Sequence, residues 1–180
     1  MRRFPLAVFA ALAFTGCTAT AAPNPALAPL LDTIERRLAL AEAVALHKWD
    51  KNQPVQATLR EQQVLANVRT ASLRQGMEPQ RAEAFFADQI EANKLVQYTL
   101  LSRWHHKGSA PDTQRRDLQH EIRPQLDELQ VVLLQQLATF DQQPTHTCSA
   151  ELANEVARRP VPPLIRQALV RATGQLCDKP

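Results

Sequence analysis

Glycine is scarce in this chain, with 4 among 180 residues, and tyrosine occurs once. Runs of β-branched residues are few, and no hairpin dipeptide is flanked by alternating apolar and polar residues. A sheet protein is therefore excluded, because strands need both the alternation and the turns. Internal repeats and low-complexity tracts are also missing. Neither sign of charge dominates: 21 basic residues face 18 acidic ones. Without Arg2 and Arg3 the balance is 19 against 18, which gives no electrostatic basis for binding nucleic acid. His47, His105, His106, His120 and His146 form no HExxH pattern and share no carboxylate spacing. His146 lies two residues before Cys148, again without a zinc spacing around it, so no metal site is expected. No His–Ser pair or cysteine nucleophile offers covalent catalysis.

What is present begins with an export signal. Arg2 and Arg3 precede an apolar run over residues 4–14 and then small residues ending in "TATAAP". This is the charged, apolar and small-residue pattern of a secretory signal, too short to span a bilayer. Ala19 and Ala21 place the cut after Ala21, making 1–21 the signal and 22–180 the mature domain. A rival cut precedes Cys17, where "FTGC" resembles a lipoprotein acylation site; only that cut attaches the mature chain to a membrane. The twin arginine lacks the rest of a Tat motif. The mature protein is thus expected in the periplasm or outside the cell. Under either cut Cys17 is removed or acylated, which leaves Cys148 and Cys177 to pair in an oxidising compartment. A crosslink closing a loop of that size stabilises a fold by about 3–4 kcal/mol on the entropic account.

Helical periodicity fills the rest. A first helix is predicted over residues 26–50, broken by "KNQPVQA". A second starts near Thr58 and stops at Gly76. A third opens with Glu78 and Pro79 and runs to Gly108; a proline suits the first helical position. A fourth carries Leu118, Ile122, Leu126, Leu129, Leu133 and Leu137, with Pro124 kinking it or marking its true start. Two shorter helices are predicted over 149–158 and 163–176, tied by the disulfide. The expected architecture is a single-domain all-α bundle of about six helices.

The informative residues are polar ones on apolar stripes. Arg37 and Lys48 are eleven residues apart, so on one helix they differ by about 20° in azimuth, three turns apart. The third helix carries three amides, Gln89, Asn93 and Gln97, in the stripe of Phe86, Leu100 and Trp104. A single such cation would usually snorkel to water. Two cations facing two amides at one-turn spacing are harder to treat this way. An unpaired buried charge costs several kcal/mol, against a total stability of about 5–15 kcal/mol. No carboxylate on the first helix shares the stripe, since Glu35 and Glu42 point elsewhere. Either another helix supplies acids, or the anion is a ligand held between helices. Arg60 and Glu61 open the second helix, where Glu61 either reaches back to cap Thr58 or touches the ligand. Arg123 adds a cation beside Pro124. Such a pocket suits a compact, multiply anionic molecule and needs no covalent chemistry. An exported module that binds an aromatic dianion or a partner protein without turnover would share these features.

The segments "RLALAEAVALHKW", "R-E" twelve residues beyond the lysine, "FFADQIEANKLVQY" and "IRPQLD", together with the cysteine pair, resemble the exported all-α chorismate mutases. The resemblance spans the mature chain. It implies a Claisen rearrangement of chorismate to prephenate, with no cofactor and no covalent intermediate. It further implies that Arg37 binds a substrate carboxylate, and that Lys48 and Gln97 donate to the ether oxygen. Arg60 would help hold the substrate, Glu61 would take the ring hydroxyl, and Asn93 would contact a carboxylate or the hydroxyl region. Arg123 matches a fourth-helix arginine that exported members use within one subunit, so each site should be self-contained even where two chains pair as a homodimer. One departure is visible. Many exported members open the second helix with Asp-Pro, where this chain has Ala57-Thr58, leaving Thr58 as the expected cap.

Overall fold

The computed structural model describes residues 24–143 and 147–178. The signal segment 1–21, Cys17 and His146 lie outside them. Every regular element among the described residues is helical.

The first predicted helix is two. Helix α1 spans Leu27–Ala39 and α2 spans Ala41–Lys51, separated by Leu40, whose N–H reaches back to the carbonyls of Arg37 and Leu38. The tight turn lets the two halves face different partners. Leu30, Leu31, Ile34 and Leu38 of α1 are fully buried in the main core, between α5 and α7, while α2 packs on α4. Asn52 then adopts a left-handed conformation (φ 49°) and ends α2. Asn is among the residues that tolerate this region.

Helix α3 (Thr58–Ser72) continues through a short 3₁₀ turn, Leu73–Gln75, to Gly76 at φ 64°. Its cap differs from expectation. Ala57, not Thr58, is the last non-helical residue (φ −127°, ψ 62°), and it makes no side-chain cap bond. Glu61 instead accepts the Ala57 N–H at 2.8 Å, because Thr58 already lies inside the helix.

Helix α4 (Pro79–Lys107) is the spine. Its 29 residues extend about 43 Å at 1.5 Å per residue, long enough to contact α1, α2, α3 and α7. Gly108 ends it at φ 80°. A π-helical turn, Leu118–Ile122, precedes α5 (Arg123–Asp141). Asp117 caps that turn, accepting the N–H groups of Gln119 and His120 at 2.7 and 2.8 Å. Pro124 thus marks a helix start, where its missing N–H removes no bond.

Helix α6 spans Cys148–Arg158 and α7 spans Pro163–Ala172, four residues shorter than predicted. Thr173 ends α7, its N–H and hydroxyl both turned to the Leu169 carbonyl. Cys148 and Cys177 are bonded, with Cα atoms 5.7 Å apart. Buried Arg81 also anchors the last turn, gripping Asp141 and the carbonyls of Gln175 and Leu176 at 2.7–3.0 Å. Gln89, the third amide of the α4 stripe, belongs here too. It donates to the Ala172 carbonyl at 2.7 Å and so serves packing on α7, not the cleft described next.

Candidate active site

Five helices meet around one cleft, whose empty volume with its open mouth is about 740 Å³. Arg37 comes from α1, Lys48 from α2, Arg60 and Glu61 from α3, Asn93 and Gln97 from α4, and Arg123 from α5. All seven predicted site residues therefore line the same space. Val44, Val64, Ile90, Leu118 and Leu126 form its apolar wall. No serine, cysteine or histidine lines it among the described residues. Elsewhere among those residues, no group of three or more ligating side chains is placed to hold a metal ion.

Arg37 and Lys48 are only 7% and 8% exposed, so their charges are held out of water. Arg37 Nε is buried without a hydrogen-bond partner. Burial pushes the guanidinium pKa down to about 10; Asp127 works against this and Arg60 with it. Lys48 Nζ donates to the Val55 carbonyl. Its pKa is lowered, mainly by burial, with Glu61 raising it and Lys94 and Arg123 lowering it further. Neither cation forms an ion pair among the described residues.

The amides are arranged to meet something. Gln97 Nε2 donates to Asn93 Oδ1 at 2.6 Å, leaving Gln97 Oε1 and Asn93 Nδ2 buried without partners. With Arg37 Nε, that makes three orphaned polar atoms on residues that line one cavity. Each unmade buried bond costs about 1–3 kcal/mol until a ligand supplies it.

Three polar lining residues escaped the sequence reading: Lys94, Asp127 and Gln130. Lys94 stands three residues before Gln97 and four after Ile90, a helical register that marks it as pocket-facing once Ile90 is recognised as lining. Asp127 pairs with Arg60 at 2.6 Å, from a position more than half exposed. That contact spans 67 residues of sequence and had no local signal. Glu61 is engaged by the Ala57 N–H, by Gln56 Nε2 at 2.8 Å and by Lys94 at 3.5 Å. Capping and pocket lining are thus not alternatives for Glu61, which does both. Arg123 donates to Gln119, one turn earlier.

The answer to the sequence's question is therefore divided. Acids do arrive from other helices, but they neutralise Arg60 and Lys94 and leave Arg37 and Lys48 unpaired. Five cations face two carboxylates around the cleft. Fold and site together define an all-α domain that binds a compact polyanion between its helices. Residues 28–98 match the family model for chorismate mutase type II. A secreted chorismate mutase of Mycolicibacterium smegmatis is 31% identical, the alignment covering 93% of this chain and 96% of the relative. A secreted chorismate mutase of Mycobacterium tuberculosis is 28% identical over 84% of this chain and 78% of its own. The crystal structure of chorismate mutase from Burkholderia phymatum superposes with a TM-score of 0.82 at 40% identity, covering 87% of this chain and 98% of that one. The chain belongs to the chorismate mutases, in their exported all-α branch.

Proposed function

We propose that the cleft binds chorismate and rearranges it to prephenate, with Arg37, Lys48 and Gln97 as the catalytic group. The observation that carries this assignment is that two buried, unpaired cations line one cleft with two amides that have unmade bonds. Chorismate is a dianion, and its two carboxylates are the counter-charges that the cleft lacks.

The reaction breaks one ether C–O bond and forms one C–C bond within a single molecule. No proton, hydride or group leaves, so neither a general base nor a nucleophile is needed. Catalysis then rests on holding the folded conformer and on meeting charge as it develops on the ether oxygen. Arg37 binds a carboxylate, assisted by Arg60 and Arg123 at the two flanks. Lys48 and Gln97 donate to the breaking bond's oxygen. Burial strengthens both interactions, since the same desolvation that lowers the pKa of Lys48 weakens screening by water. Glu61 takes the ring hydroxyl with the acceptor capacity its caps leave free, and Asn93 orients Gln97 through the bond between them.

All four predicted arginine and lysine ligands belong to one chain, which supports a site complete in each subunit whether or not two chains pair. The chain is exported, as its secreted relatives are. We infer cleavage after Ala21, leaving 22–180 as the catalytic domain; the intact mass of the secreted product separates this from acylation at Cys17. The decisive experiment follows chorismate's ultraviolet absorbance with the purified mature protein and with Arg37→Met and Lys48→Ala. Turnover by the wild type and its collapse in both variants is expected. A protein that binds chorismate and leaves the absorbance intact would overturn the assignment.

A further inference from the structure

Lys94 lies in the cleft wall with only 11% of its side chain exposed, although no ligand role follows from its neighbours in sequence. Its Nζ lies 2.7 Å from Glu91 Oε1 and 3.5 Å from Glu61 Oε2. Glu91 and Lys94 are on α4, while Glu61 is on α3, so the three charges bridge the two helices that form this wall. Burial disfavours the ammonium, but Glu91 and Glu61 more than offset it and its pKa is raised. The lysine is therefore charged throughout the physiological range.

One edge of the Glu61 carboxylate is fixed by its own helix start: Oε1 takes the Ala57 N–H at 2.8 Å, and the Glu61 N–H returns a bond to the Ala57 carbonyl at 2.9 Å. Its Oε2 is held by Gln56, an exposed side chain in the loop before α3, and by Lys94. Of the two, only Lys94 belongs to a long helix. Other charges around the carboxylate are Lys48 from α2 and, across the cleft, Arg123 and Asp127 from α5.

We propose that Lys94 is a positioning residue for the rearrangement: anchored by Glu91, it holds the Glu61 carboxylate at the angle that receives the substrate's ring hydroxyl. This rests on the assignment of Glu61 as a substrate contact. Lys94 does not touch the reacting atoms, and it acts on binding more than on the chemical step.

The test is a double-mutant cycle on kcat and KM using Lys94→Met, Glu61→Gln and the double variant, with Lys94→Arg and Glu91→Gln alongside. Lys94→Met should raise KM about 10-fold with kcat within about 3-fold, the pattern of a lost uniform binding interaction. Lys94→Arg should restore most of the loss, and Glu91→Gln should give a smaller rise of the same kind. On the Glu61→Gln background, Lys94→Met should have almost no further effect. An equal loss on both backgrounds would overturn the positioning role and leave Glu61's own role standing. Wild-type KM in Glu61→Gln would remove the substrate role of Glu61 and this proposal with it. Melting temperatures close to wild type are expected for all variants. If Lys94→Met fails to fold, Glu91→Gln carries the same comparison, and an unchanged KM there overturns the relay.

Discussion

A glutamine amide donates a hydrogen bond at any pH, whereas a carboxyl does so only while protonated. Gln97→Glu should therefore keep activity only at acidic pH, where the new carboxyl carries its proton; a neutral optimum in that variant would remove Gln97 from the ether oxygen. In the proposed mechanism Lys48→Ala deletes a donor present when charge develops, and kcat should fall by at least about 100-fold. The wild type should also lose activity on the alkaline side as Lys48 deprotonates. Because burial lowers its pKa, the decline should begin below the range of an ordinary lysine, and stopped-flow rates against pH would locate it. These residues were legible because each breaks an apolar stripe, a local violation that needs no tertiary knowledge. Lys94 follows Ile90 by one turn, but only the fold shows that Ile90 lines the cleft, and Asp127 looks like an exposed α5 acid until Arg60 arrives from another helix.

At the scale of elements, helix existence was readable throughout and helix ends less so. The interruption at Leu40 carries no proline or glycine; it arises where packing passes from α5 and α7 to α4. A hydrophobic period records which face is buried and not which partner buries it. Thr58 reads as a cap because threonine is a favoured one, yet the chain enters α3 one residue earlier. The uncapped Ala57 makes a direct prediction. Ala57→Asp places a side-chain acceptor at the N-cap and should stabilise the fold by about 1 kcal/mol, read as a raised urea midpoint. No change would mean that Glu61, already on the Ala57 N–H, satisfies this helix start by itself.

For the whole molecule, the site is a load that the rest of the bundle offsets. Burial lowers the pKa of Arg37 to about 10, well below the usual guanidinium range, which corresponds to roughly 3 kcal/mol of charge burial. The sign follows from proton counts. Above about pH 10 the folded chain begins to lose a proton from Arg37 that the unfolded chain still holds, so stability rises with pH there. Below pH 10 both states are protonated and the whole burden is present. The packed α1–α5–α7 core, the Cys148–Cys177 bond and the Arg81 clasp carry it. Arg37→Met should then raise the melting temperature of the ligand-free protein, by about 1–3 kcal/mol in stability, while abolishing turnover. A dicarboxylate transition-state analogue at about 100 times its Kd should stabilise the wild type by about 2.7 kcal/mol and leave the variant unmoved. Calorimetry on both proteins, with and without the analogue, makes the comparison. A variant that melts lower than the wild type and still responds to the dianion would show Arg37 to be part of the scaffold and not the ligand's counter-charge.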